Sequence, residues 1–289
     1  MIYNSYQAAE IMGVNVSTIK RWTDAGKLNC RKTEGGHRKF HLNDLKGFIK
    51  NNKKGSSDIN LEHLIGTNKS LTDAINNQDN PKLINYCFQS LISDNSNKFP
   101  ALNNALLLKG YSLDMLFDQI MIPALRKIGQ KWVDNQLLIT EEHLATERIK
   151  RFIFNLTADA ETTNTTCNAF CFTLVDDQHD LPTYMAESII KENKNIKVFN
   201  LGPNLPIKDF IALAKKVTPK IIFISIVYSE QLELITKEIN LLCKTFNTSD
   251  VRIFLSGKAT HDMSIKRKNL IHIKSFKELN KHILNIDNN

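Results

Sequence analysis

Asp177-Gln178-His179 places a carboxylate two residues before an imidazole. That couple suits metal ligation. The carboxylate takes one ring N–H, fixes the tautomer and leaves the other nitrogen to coordinate. An Asp-x-His pair also serves as a plain loop hydrogen bond. A second group stands upstream, where Trp132 is followed, after nine intervening residues, by Glu142-His143. It offers an aromatic face, a carboxylate and a second imidazole. Its bland reading is a core tryptophan and a helix start, with Thr140 as cap and Glu141 and Glu142 in the first turn, where the helix dipole favours acids. A third group lies near the N-terminus: Ser17, Thr18, Lys20 and Arg21, then His37, Arg38 and Lys39. Hydroxyls and cations of this kind suit base edges and phosphates.

The elements that must position the third group read as follows. Ser5 is a candidate cap for a short helix over Tyr6–Met12, and Gly13 allows a sharp turn. Ser17 is a candidate cap for a second helix over Thr18–Ala25, with Ile19 and Trp22 on one face. Two short helices around a glycine turn predict a helix-turn-helix. Leu28–Arg31 and Arg38–Phe40 predict two strands around Thr33-Glu34-Gly35-Gly36-His37, whose glycines allow a tight hairpin. A third helix starts at Asn43-Asp44-Leu45, anchored by Phe48 and Ile49. Trp22 and Phe40 read as core residues.

The charge agrees. Of the chain's net +8, residues 1–55 carry +7, from eleven Lys/Arg against four acids. The excess sits on a segment with apolar periodicity, so it predicts a polyanion-binding module rather than a basic tail. Residues 51–58, NNKKGSSD, read as a flexible linker. From about 60 to 160 the pattern is helical, with Pro81 opening one helix and Ser112 capping another, which predicts a bundle of about four helices. From 168 the period changes. Apolar runs at 170–175, 196–201, 221–226, 251–255 and 270–273 alternate with helical stretches near 183–193, 207–217, 230–246 and 258–265. Runs buried on both faces predict a parallel, doubly wound sheet, with ligands beyond the strands' carboxyl ends. Asp177 and His179 fall just past the first of these strands.

Composition excludes other classes. The chain of 289 residues is 42% apolar and 24% charged, unlike disordered or collagen-like chains. No apolar run reaches the roughly 18 residues of a membrane span. The N-terminus lacks the pattern of a secretory signal. Five cysteines, with no CxxC pair, predict free thiols in a reducing cytoplasm.

Two resemblances join these parts. Thr33-Glu34-Gly35-Gly36-His37-Arg38-Lys39-Phe40 with Asp44-Leu45 closely resembles the wing of the MerR family's winged helix-turn-helix, T-x-G-G-H-R-R-F…D-L. This implies that the second helix enters the major groove and the wing contacts flanking backbone or minor groove. Trp132, nine residues, Glu142-His143, followed by Asp-x-His after the first strand of a flavodoxin-like domain, resembles the cobalamin-binding unit of methionine synthase. The order of parts resembles still more the light-sensing MerR-type repressors of carotenoid genes, the CarH/LitR group, along nearly the whole chain.

The second resemblance implies a multidomain fold: winged helix-turn-helix over 1–55, linker and bundle start over 56–75, a four-helix bundle as cobalamin cap over 76–160, and a Rossmann-like cobalamin domain over 165–289. It implies His179 as the lower cobalt ligand, replacing the cofactor's dimethylbenzimidazole. The displaced base and its tail would lie near Ser225, which matches the family's serine after the third strand, and Gly257, which matches the second glycine after the fourth. Trp132 and Glu142 would cover the upper face, with His143 a further candidate ligand. The cofactor implied is adenosylcobalamin, whose photolysis would change the oligomer and release DNA. Three positions depart from the pattern. Pro182 replaces a glycine after the ligand histidine, Ser256 replaces the first glycine of the pair, and Val133 stands where light-sensing members place a histidine. These departures keep open a regulator that binds no cobalamin and answers to another ligand or a protein. An enzyme reading, such as a cobalamin methyltransferase or mutase, is opposed by the basic module and by the lack of length for a separate catalytic domain. The partners expected are double-stranded promoter DNA and further copies of the chain, since one wing module has a small footprint.

Overall fold

The structure is a computed structural model and describes residues 2–52, 59–157, 165, 167–247, 250–263 and 265–285. The chain divides into two compact units, Met1–Leu156 and Thr157–Asn289. The proposed linker at 51–58 lies outside the described residues except for Asn51 and Asn52, which end a helix.

The first unit opens with a three-residue strand, β1 (Ile2–Asn4), too short to show a period. It leads directly into α1 (Ser5–Ile11). Asn4, not Ser5, is the cap. Its Oδ1 accepts from the amides of Tyr6 and Gln7, both at 2.9 Å, and the Gln7 side chain accepts from the Asn4 amide. Gly13, at φ +60°, turns the chain into α2 (Val16–Asp24). This helix starts two residues earlier than the sequence reading placed it, so Ser17 lies in its first turn and does not cap it. β2 (Arg31–Lys32) and β3 (Arg38–His41) form the hairpin, and the sheet runs β1-β3-β2, antiparallel. α3 (Leu42–Asn51) follows, its Asp44 accepting from the His41 amide. Phe40 is fully buried, and Trp22 packs on Phe48 with ring centroids 4.5 Å apart. The module is thus a winged helix with an apolar centre.

Among the described residues seven further helices follow in this unit: α4 (Glu62–Ile65), α5 (Lys69–Asn76), α6 (Asn80–Ile92), α7 (Lys98–Leu108), α8 (Leu113–Leu116), α9 (Ile122–Val133) and α10 (Ile139–Thr157). A π turn at Phe117–Met121 joins α8 to α9. α7 is its centre, with every residue from Leu102 to Leu108 buried. The winged helix is tied to these helices. Asn104 Nδ2 donates to Tyr3 Oη at 3.2 Å, Asn60 N to Ile11 O at 2.9 Å, and Asn43 Nδ2 to Leu156 O at 3.3 Å. His63 Nδ1 meets Glu10 Oε2 at 2.6 Å.

The second unit carries β4 (Cys167–Leu174), α11 (Leu181–Ile190), β5 (Ile196–Leu205), α12 (Ile207–Ala214), β6 (Pro219–Ser225), α13 (Leu232–Thr245), β7 (Arg252–Ser256), β8 (Leu270–His272) and α14 (Phe276–Leu284). All five strands are parallel, in the order β5-β4-β6-β7-β8. Phe170, Phe172, Ile222, Ile224, Ile253 and Leu255 pack under α12 and α13. On the other face, Phe223 stacks on Phe276 of α14 with centroids 6.5 Å apart, and Phe254 meets His282. The sheet is therefore doubly wound. Its topological switch lies between β4 and β6, where successive connections leave in opposite directions. Two details differ from the sequence reading: α14 was not read, and residues 258–262 form a 3-10 turn in place of a helix reaching 265.

Candidate functional site: the carboxyl end of the parallel sheet

The connection after β4 is pinned on both sides. Asp176 turns the chain at φ +76°, and its amide donates to Asn204 Oδ1 at 2.9 Å. Asn204 is itself left-handed, at φ +60°, and its amide donates to Thr173 Oγ1. Two non-glycine residues in this conformation mark a segment held by its surroundings. Thr173 Oγ1 in turn donates to the carbonyl of Asp177 at 2.5 Å.

Asp177 has no solvent exposure and uses both carboxylate oxygens. Oδ2 accepts from the Val227 amide, just past the end of β6, at 2.6 Å. Oδ1 accepts from the His179 amide at 2.9 Å and faces His179 Nδ1 at 2.7 Å. One buried side chain thus clamps the switch point and orients the imidazole. The His179 side chain is 56% exposed. With Nδ1 held by Asp177, Nε2 is the nitrogen that would meet a metal. Among the described residues no group of three or more His, Cys, Asp or Glu could hold an ion. A bare ion needs several protein ligands, whereas a metal already held in a macrocycle needs one or two axial ligands. One imidazole oriented by a buried carboxylate is a donor set that fits a single axial ligand to a chelated metal.

Ser225 ends β6. It is fully buried, and among the described residues its Oγ has no hydrogen-bond partner. A buried polar atom without a partner is costly, which makes it a candidate contact for a ligand. Gly257 has a reason of its own. It stands at φ +107°, and a Cβ there would lie 2.2 Å from the Ile226 carbonyl oxygen. Ile226 N donates to Ser256 O at 2.8 Å, and Ala259 N to Ile226 O at 3.1 Å. Glycine is required by this crossing of β6 and β7, with or without a ligand. Pro182 is in the first turn of α11, where an amide has no intrahelical partner, so the helix tolerates it. Ser256 is half-buried. Beyond β6, Tyr228 Oη donates to Glu230 Oε1 at 2.8 Å, and this acceptor and its charge raise the phenol's pKa.

In the first unit, Trp132 is 45% exposed and His143's side chain 73%, so Trp132 is not the core residue of the bland reading. Val133, Leu138, Ile139 and Leu144 are exposed around them. Glu142 Oε1 accepts from Thr146 Oγ1 at 3.0 Å. Thr140 lies inside α10 and does not cap it, while Glu141 accepts from the Leu138 amide at 2.7 Å. Exposed apolar groups gathered in this way mark an interaction surface.

In the winged helix, Ser17, Lys20, Arg21 and His37 are exposed; Thr18, Arg38 and Lys39 are half-buried. Arg38 Nη2 meets Asp24 Oδ1 at 2.6 Å, fastening the wing to α2. Sequence reasoning did not single out Lys27, Arg31 and Lys32, which are exposed here and were visible only as part of the charge count. Nor did it find Val227, whose amide anchors Asp177 from fifty residues away; no local pattern signals a backbone donor.

Residues 2–53 match the model of a family described as "Helix-turn-helix domain", and residues 84–156 match one described as "B12 binding domain". The second span covers most of α6, all of α7–α9 and α10 but for its last residue, and so includes Trp132, Glu142 and His143. No curated protein matches the chain. Among solved structures, the chain is similar in fold to the monomethylamine corrinoid protein of Methanosarcina barkeri, at 13% identity and TM-score 0.56, covering 72% of this chain and 99% of that one. A cobalamin-binding protein from Desulfitobacterium hafniense DCB-2 aligns at 14% identity and TM-score 0.33, over 80% of this chain and 98% of that one. The chain thus joins a helix-turn-helix domain to a region matching a B12-binding domain and to a Rossmann-like sheet. Among the described residues no helix is long and apolar enough to cross a membrane.

Proposed function

We propose that the chain is a DNA-binding transcriptional regulator, a repressor of the MerR type and of the CarH/LitR group, governed by a bound cobalamin. The observation that carries this is the buried Asp177 presenting His179 at the sheet's switch point, in a chain that opens with a basic winged helix. His179 would ligate the cobalt. The orphaned Ser225 hydroxyl, with Gly257 beside it, would meet the displaced nucleotide tail. Trp132 and His143, exposed, and Glu142, half-buried, lie on the span matching a B12-binding domain and are assigned to cobalamin in this reading. Adenosylcobalamin, when bound, supplies a light-labile cobalt–carbon bond. The residues' own work is to fix the ligand's tautomer, receive the tail and change the chain's oligomeric state, dimer or tetramer, and with it the hold on promoter DNA. Ser17, Thr18, Lys20, Arg21, His37, Arg38 and Lys39 make the DNA contacts. The domains in this reading are 1–55, the linker and bundle start at 56–75, the four-helix cap at 76–160, and 165–289. The protein is cytoplasmic and not an enzyme.

The test is to incubate purified protein with adenosylcobalamin in the dark, gel-filter it and record a spectrum. Corrin absorbance that elutes with the chain, and a base-off, His-on spectrum that disappears in His179→Ala, are expected. No retained corrin would overturn the cofactor. It would also favour a second reading suggested by Pro182, Ser256 and Val133, namely a regulator of the same architecture answering to another ligand or a protein. Separately, a mobility shift on promoter DNA should weaken with salt and with Lys20→Ala plus Arg21→Ala. Binding indifferent to both would overturn the DNA face.

A further inference from the structure

α7 and α10 leave a cavity of about 290 Å³ within the first unit. Arg148, Arg151 and Asn155 line it from one side of α10, at spacings of three and four residues, and Asn104 lines it from α7. Phe99 and Phe152 form its apolar wall, edge to face with centroids 5.5 Å apart. Among the described residues no carboxylate lines the cavity. Two guanidinium groups and three amides, those of Asn97, Asn104 and Asn155, beside buried aromatic rings suit one ligand class. It is a small organic acid, with its carboxylate on the arginines and an apolar body against the phenylalanines.

The position of the cavity adds a consequence. Asn104 also donates to Tyr3 Oη in β1, and the carbonyl of Leu156, another lining residue, accepts from Asn43 in α3. Two lining residues are therefore among those that hold the winged helix to the helices behind it. We propose that this cavity binds a small organic carboxylate and that its occupancy alters DNA affinity through the Tyr3–Asn104 and Asn43–Leu156 contacts. The proposal uses neither His179 nor a corrin and stands apart from the cobalamin reading.

The experiment is calorimetric titration of the full chain, prepared without cobalamin, using benzoate, hexanoate and inorganic phosphate as probes. Saturable binding of benzoate or hexanoate is expected, with phosphate weaker because it has no apolar body. Arg151→Gln should weaken binding about tenfold or more, the range for a lost charge-assisted hydrogen bond. Arg151 is exposed, so its variant should melt as the parent does. Arg148 is left alone because it also donates to Leu91 O. No saturation by either carboxylate at about 10 mM, or unchanged affinity in Arg151→Gln, overturns the site. Binding with identical DNA affinity at matched ionic strength, with and without the probe, overturns the coupling. Because no corrin is present, none of these outcomes bears on cobalamin.

Discussion

Asp177→Asn separates the clamp from the ligand it orients. The carboxylate accepts from the Val227 amide on one oxygen and from the His179 amide and ring on the other. Asparagine has a single side-chain oxygen. Whichever way the amide turns, its NH2 group faces a backbone N–H, either at Val227 or at His179. One charge-assisted hydrogen bond is lost, worth about 1.5–3 kcal/mol, and a buried donor is left without an acceptor at about 1–3 kcal/mol. Removing a buried charge offsets part of this. The net expectation is about 2–3 kcal/mol off the second unit and a melting point lower by roughly 5–10 °C. Calorimetry on the full chain measures it, since the two units can give separate transitions. His179→Ala is the control: its side chain is 56% exposed, so it should cost under about 1 kcal/mol. A loss below about 0.5 kcal/mol in Asp177→Asn would refute the clamp.

Ser225→Ala replaces an orphaned buried hydroxyl by hydrogen and should stabilise the cofactor-free second unit by about 1 kcal/mol while weakening corrin retention. Destabilisation in a denaturant titration would show that the hydroxyl has a partner. Gly257→Ala forces a Cβ to within 2.2 Å of the Ile226 oxygen at φ +107°, and should cost at least about 3 kcal/mol by the same titration. Tyr3 is buried, which pushes its phenol up to about 12 from 10.0. Unfolding lets the proton leave more readily, so this contribution to stability is complete below pH 10.0 and is lost as pH rises through about 12. Comparing wild type with Tyr3→Phe across that range should show the wild type losing about 2 kcal/mol more by its upper end. Parallel curves would contradict the burial.

The sheet was legible because parallel strands covered on both faces read as unbroken apolar runs, as at Ile221–Ser225. α14 was missed, although Phe276, Leu279 and Ile283 share a face, because it follows directly on the short strand β8. Asn4 rather than Ser5 caps α1 because the cap must still be extended, and β1 supplies that conformation. Asp177 and His179 were adjacent in sequence and so could be found. Their anchors, the Val227 amide just past β6 and the Asn204 side chain in β5, lie far away in sequence, and only the topology brings them together.

The bonds from Tyr3, Ile11 and Asn43 to Asn104, Asn60 and Leu156 also bear on how such a protein could be rebuilt. A DNA-reading module exchanged at the 51–58 junction would arrive without its mates in α7 and α10. Such a graft would lack the bonds that fix the module to the helices behind it. A working chimera has to carry the rear face of the module, β1 and the start of α3, along with the face that reads DNA.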